Sequence, residues 1–148
     1  MFMVTRNLRR WRDRGAAAVE FALCVPMLVL LIFGSIEFGL YVQARTMVQN
    51  AAREGVRLAS LNKSPADIEY AVDMALQGVS GTSPVVTSGC TSTAGACVIG
   101  SKTNPTGSVA TVTVTLNYTS VTGLFVTTQF PKISTLTGSS YMRMETSA

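Results

Sequence analysis

Residues Ala16 to Ile36 form an unbroken stretch of 21 residues whose single charged side chain is Glu20. Coiled as a helix at about 1.5 Å per residue, the stretch covers roughly 31 Å, enough to cross the hydrocarbon core of a bilayer. Nothing else in the chain is apolar enough to cover such a rod, so its neighbours are lipid or another subunit. Glu20 is the anomaly. A carboxylate in hydrocarbon costs several kcal/mol, roughly, and a lone anchor has no second helix to share that cost. A simple tether would place Leu or Ala there. Pro26, inside the same stretch, removes one helix hydrogen bond and favours a bend.

The charge distribution fixes how this rod is oriented. The 148-residue chain has a formal charge of +4. Before Ala16 stand Arg6, Arg9, Arg10, Arg12 and Arg14 against Asp13, which accounts for the whole excess. After it, seven basic residues (Arg45, Arg53, Arg57, Lys63, Lys102, Lys132, Arg143) face seven acidic ones (Glu20, Glu37, Glu54, Asp67, Glu69, Asp73, Glu145). Positive residues beside a span stay in the cytoplasm, so the C-terminal part is expected on the far side of the membrane. No basic face is visible, and nucleic acid is therefore not an expected partner. A secretory signal peptide is the competing reading of the N-terminus. Against it, no A-x-A site follows the apolar core, and the sequence runs on in a helical pattern.

Arg14-Gly15-Ala16-Ala17-Ala18-Val19-Glu20-Phe21, behind its basic leader, resembles the type III signal of type IV prepilins. The resemblance implies that a prepilin peptidase cuts between Gly15 and Ala16, making Glu20 the fifth residue of the mature chain. It also implies that Glu20 meets the new terminal amine of Ala16, its own or a neighbour's, which lowers the cost of burying both charges. The match extends through Phe33-Gly34-Ser35-Ile36-Glu37-Phe38-Gly39 and Gln49-Asn50-Ala51-Ala52-Arg53-Glu54-Gly55-Val56-Arg57-Leu58-Ala59. Over that length the chain is similar to the TadE-like family, minor pseudopilins of the tight-adherence (Flp) pilus machinery. The partners implied are the prepilin peptidase, TadF-like minor pseudopilins, the Flp major pilin, inner-membrane platform proteins and membrane lipid. The major Flp pilin is usually little more than leader and helix, whereas this chain has a further domain. TadG-like relatives are typically longer, and TadF-like ones remain a sibling alternative.

Beyond the span the helix is predicted to continue to about Leu61. Leu40, Ala44, Met47, Ala51, Gly55 and Leu58 recur at one-face spacing. Small residues such as Ala51 and Gly55 let another backbone approach, and packing against the chain's own C-terminal domain is the favoured use beyond Met47. Arg45, Gln49, Arg53 and Arg57 form a solvated row on another side. Phe21, Pro26 and Glu37 complete the set of candidate helix-packing residues. Glu37 lies about 25 Å along the helix from Glu20. Two readings stand for it: a hydrated residue at the outer interface, or an intersubunit contact.

The division expected is a basic leader over 1–15, the membrane half of the helix over 16–36, its exported half over 37–62 and an α+β domain over 63–148. Ser64-Pro65-Ala66-Asp67 is a helix start, with Ser64 as cap and Pro65 in the first turn. Ile68, Ala71, Val72, Ala75, Leu76 and Val79 give the buried side of this second helix, which should end near Gly78 to Gly81. Its polar side lacks Lys and Arg, which disfavours an anionic lipid surface. Val112, Val114, Leu116 and Tyr118 alternate along a half-buried strand from Ala110. Ser140 to Glu145 is a second strand, with Met142 and Met144 on one side. Shorter runs at Pro84 to Ser88, Ala96 to Gly100 and Thr122 to Thr128 complete an antiparallel meander. The fold class is therefore α+β: a long pilin-like N-terminal helix, a second short helix and a small antiparallel sheet.

Cys90 and Cys97 flank a six-residue loop in the exported part, where an oxidising compartment would let them pair. A metal is the competing use of the two thiols, but the chain contains no His and no third Cys nearby to complete a ligand set. Cys24, in the span, serves as a small apolar group. Without His, the Ser-His and Cys-His nucleophile pairs are impossible, and the acids form no motif. No enzyme activity, metal or cofactor is expected. Two functions of different class follow. One is a processed pseudopilin acting in initiation, priming or tip formation of a pilus. The other is an uncleaved single-pass inner-membrane protein whose exported domain is an adhesin or an envelope-binding module.

Overall fold

A computed structural model describes the backbone of residues 5–120 and 135–145, and the side chains within 15–120 and 135–145. In chain order the elements are helix α1 (Thr5–Ser60), helix α2 (Pro65–Ala75) and strands β1 (Val85–Thr91), β2 (Val109–Asn117) and β3 (Thr135–Arg143). The strands form one antiparallel sheet in the order β1-β2-β3, a meander. The fold is α+β, as the sequence indicates. The chain divides into two compact units, Met1–Phe38 and Gly39–Ala148, and α1 contributes residues to both. The expected run at Thr122 to Thr128 lies outside the described residues.

In the second unit, β2 is the central strand and its alternation decides the architecture. Ala110, Val112, Val114 and Leu116 are buried, whereas Thr111, Thr113 and Thr115 are half-buried on the opposite face. The apolar face lies under the C-terminal half of α1 and under α2. Register places Val112 between Ser88 and Ser140, Val114 between Val86 and Gly138, and Leu116 opposite Leu136. The outer face is a field of hydroxyls with Tyr141 standing out of it.

The buried stripe of α1 is broader than the sequence spacing predicts, and rotated from it. Ala44, Val48, Ala51, Ala52, Gly55, Val56 and Ala59 are buried, while Leu40, Met47 and Leu58 are half-buried at its margins. A face of this width holds two columns of residues, and the single column chosen from the sequence followed one edge of it. Small residues allow close approach at two points. A Cβ on Gly55 would stand 3.1 Å from both Val112 Cγ1 and Val72 Cγ2. A Cβ on Gly138 of β3 would stand 2.8 Å from the Val48 carbonyl oxygen. Beside it, Gln49 Nε2 donates to the Ser139 carbonyl at 3.0 Å.

Helix α2 starts as its sequence requires. The Ser64 hydroxyl accepts from the Asp67 backbone N–H at 3.2 Å, and the Asp67 carboxylate accepts from the Ser64 backbone N–H at 3.2 Å. This is a capping box closed by Pro65 in the first turn. The Ser64 hydroxyl, with the Ser64 backbone N–H, holds the Asp67 carboxyl below its usual range. Ile68, Val72 and Leu76 are buried. The helix stops at Ala75, before the predicted end; turns lead from there to Gly78, which takes a positive φ of 88°.

The β1–β2 connection and the chain's last residues close over the end of α1. Asn62 leaves the helix with a left-handed φ of 57°, the usual place for Asn after a C-terminus. Its Nδ2 donates to the Glu145 carbonyl at 3.0 Å, and its Oδ1 accepts from Asn104 Nδ2 at 3.1 Å. Glu145 N–H donates to the Ser60 carbonyl at 2.9 Å, satisfying one of the orphan acceptors at the helix end. Asn104 also donates to the Val98 and Ser101 carbonyls and accepts from the Val98 N–H. The run Ala96 to Gly100, predicted as a strand, is irregular over 96–98 and a turn at 99–100, and Asn104 takes up the Val98 N–H and carbonyl that a neighbouring strand would have paired. Cys90 and Cys97 are joined by a disulfide across this loop, with their Cα atoms 5.6 Å apart. Met144 is buried against it, its Sδ 3.3 Å from Cys90 Sγ. Met142 and Met144 do not share one fate. Strand β3 begins earlier than predicted, at Thr135, and ends at Arg143; Met142 stays exposed, while Met144 passes beneath the disulfide.

Two stability outcomes are expected for the purified full chain in detergent, read as urea midpoints. Gly138→Ala should destabilise by about 1–3 kcal/mol, because the obstructing atom is helix backbone, and by more than Gly55→Ala, whose neighbours are methyl groups that can shift. Replacing Cys90 and Cys97 together by Ser reopens a loop whose ends are 7 residues apart in sequence. The chain-entropy estimate for that loop is a loss of roughly 2–3 kcal/mol. A double variant as stable as the parent would show that the bond constrains nothing.

Candidate functional site

The described backbone of the first unit is helical, and from Gly15 to Ile36 most of its side chains are exposed. Phe21 is 70% exposed, Leu23 71% and Met27 78%. Within Gly15–Ser60 an 18-residue window reaches a mean hydropathy of 2.5, and none of it is buried. A core helix of a soluble protein covers such a surface with its own chain. Here the rod is apolar all round, which suits lipid or a neighbouring helix. By length and composition it is a candidate membrane span.

Glu20 sits on this rod, exposed among Val19, Phe21 and Leu23. Gly15 and Ala16 are also exposed, and a side chain on Gly15 would meet nothing within 4 Å. The helix begins at Thr5, so the Gly15–Ala16 bond lies inside helical backbone in the full chain and not at a helix start. Pro26 lies within α1 without ending it. Ser35 turns its hydroxyl back onto the Leu31 carbonyl at 2.8 Å, which removes a polar group from the apolar surface. Cys24 is a free, exposed thiol.

Glu37 is 3% exposed, and along α1 it lies seven residues before Ala44 and eleven before Val48. No buried side-chain nitrogen or oxygen among the described residues lacks a partner, and Glu37 has one.

The remaining residues singled out in the sequence lie apart from the rod. Ala51 and Gly55 are in the core of the second unit, facing its own sheet and second helix. The disulfide at Cys90 and Cys97 belongs to the loop over the end of α1. Glu54 and Arg57 form an exposed ion pair at 2.7 Å on α1. The Arg57 hydrogen bond holds the Glu54 carboxyl below its usual range. Among the described residues, no group of three or more Cys, Asp or Glu side chains is arranged to hold a metal ion. The feature that stands out is an exposed apolar segment of α1 carrying one acid, Glu20.

Sequence reasoning missed the Asn62–Asn104 contact and the close approach at Gly138. Asn62 carried a readable signal, an Asn just past a helical run followed two residues later by a new cap. Gly138 carried little, since one glycine among Thr and Ser residues does not announce which backbone it faces.

The family model described as TadE-like protein matches residues 15–57. No curated protein and no solved structure matches the chain. The matched segment begins at the glycine ahead of the apolar rod and ends on the helix turn that holds Gly55. It leaves the second helix and the sheet outside. The likeness covers 43 of the 148 residues, and over them the chain is similar to the TadE-like family.

Proposed function

We propose that this chain is a minor pseudopilin of a Tad/Flp-type pilus, processed by a prepilin peptidase and taking part in initiation, priming or tip formation. One observation carries the reading: an outward-facing apolar helix whose only acid, Glu20, stands five residues beyond Gly15 and behind an arginine-rich segment. Cutting at Gly15 would remove the whole basic excess, leaving seven acidic and seven basic residues. It would also create an ammonium on Ala16, one helical turn from Glu20. In lipid the two charges of one chain are poorly shielded. Beside a second subunit the Glu20 carboxylate gains a neighbour's amine, so pairing favours the assembled state over the dispersed one. The leader holds the N-terminus in the cytoplasm, and the second unit is then exported, where the Cys90–Cys97 disulfide is at home. Other minor pseudopilins, the major pilin and the platform proteins are the partners of this reading.

A second reading has one observation in its favour. The Gly15–Ala16 bond lies inside α1, and a peptidase needs extended backbone at the bond it cuts. If that segment stays helical, the chain is an uncleaved single-pass membrane protein with an exported binding domain. Glycine at this position lowers the cost of local unwinding by about 1 kcal/mol relative to alanine.

Intact mass of the chain made with and without active prepilin peptidase separates the two. Loss of residues 1–15 is expected with the peptidase, and an N-terminus still at Met1 would sink the pseudopilin reading. Gly15→Leu should block the cut. Glu20→Ala should be cut normally yet reduce piliation; normal pili from that variant would rule out the pairing of Glu20 with the amine.

A further inference from the structure

Helix α2 buries Ile68, Val72 and Leu76 and turns its other side to solvent. That side carries Tyr70 at 69% and Met74 at 48% exposure, one turn apart, flanked by Glu69 and Asp73. An exposed aromatic with a methionine beside it is the composition of an interface centre. A shallow groove of about 340 Å³ runs alongside, lined by Tyr70, Glu69, Asp73 and, from the β1 side, Pro84 and Val86. Neither Glu69 nor Asp73 has an ion pair or side-chain hydrogen bond among the described residues.

The same unit carries the complementary surface. Arg45 and Arg53 lie two turns apart on the solvated side of α1, exposed and also without ion pairs, with Val42 45% exposed in the same stretch. No ion pair joins the two surfaces within one chain. Anionic headgroups would repel the acidic side of α2, so lipid is a poor occupant. A partner offering two cations on a helix fits, and this chain supplies one.

We propose that the Tyr70–Met74 side of α2 docks on the Arg45–Arg53 side of α1 in a second copy of this chain. Tyr70 and Met74 supply the apolar contact; Glu69 and Asp73 face the two guanidiniums and set the orientation. The two patches are different surfaces, so the contact is head-to-tail: the dimer keeps one free face of each kind, one on each copy, and can accept a further copy at either end. The contact requires neither cleavage at Gly15 nor incorporation into a pilus.

The test uses full-length chains in their membrane, with a photoreactive residue replacing Met74 in one of two differently tagged copies. Irradiation should give a covalent dimer whose cross-linked peptide lies in residues 42–53, with a yield that falls as ionic strength rises. Glu69→Arg with Asp73→Arg in both copies should lower the yield about tenfold, and so should Arg45→Glu with Arg53→Glu in both. Mixing the two variants should restore the dimer when the probe is on the copy with the native α2, which also shows that both variants are folded. The milder Glu69→Gln with Asp73→Asn should give a smaller loss. A cross-link to a different protein, to lipid or to another part of the chain overturns the proposal. So does an undiminished dimer in either charge reversal, or a mixed pair that fails to recover. The mass of the N-terminus, read in the same samples, reports on processing separately.

Discussion

One helix carries two patterns of side chain. From Ala16 to Ile36, α1 shows apolar side chains on every side, with Glu20 the one acid among them. From Ala44 it narrows to a stripe of small residues on one side and arginines on another, as a protein core beside water requires. The change of pattern happens without a break in the hydrogen-bond ladder. A helix tolerates this because its backbone groups are satisfied internally in either environment, so the environment is chosen by side chains alone. The sheet and α2 depend on this, since among the described residues the apolar face of β2 is covered by the stripe of α1 and the inner side of α2.

The cover is close because it is built from small residues. Alanines and Gly55 on the helix, with Gly138 on β3, bring main chain against main chain, where larger residues would hold the layers apart. Close layers leave little room for error, and the fold secures its end with directional bonds. Asn62, Asn104 and the backbone of Glu145 tie the last turn of α1 to a loop and to the final residues, and the disulfide closes that loop. Polar and covalent ties supplement an apolar core too small to fix the end of a long rod unaided.

Much of this was legible. The apolar span, the Ser64 cap, the Pro65 start and the alternation of Val112, Val114 and Leu116 each follow from a local rule, and the structure repeats them. The failures share a cause. The stripe on α1 was assigned to one edge, because spacing alone does not say how wide a face the partner covers. The run Ala96 to Gly100 looked like a strand until Asn104, four residues on, supplied its backbone partners. For the stripe the deciding contact lies across a layer; for the loop it is one side chain six residues from Val98, whose direction no spacing rule reports. The functional helix shows the reverse balance: Gly15, Ala16 and Glu20 are conspicuous in sequence, and the structure adds chiefly that they are exposed.

The tie between Asn62 and Glu145 spans 83 residues, and that between Gln49 and Ser139 spans 90. Contacts of that range make a fold slow to form and dependent on the last part of the chain to emerge. The C-terminal half of α1 therefore waits, its stripe of alanines uncovered, until β3 arrives to lie against it. During that interval the unit is a helix with an open groove, and any other chain would meet it then as an unfinished sheet. Order of synthesis thus sets when this unit becomes closed to strangers.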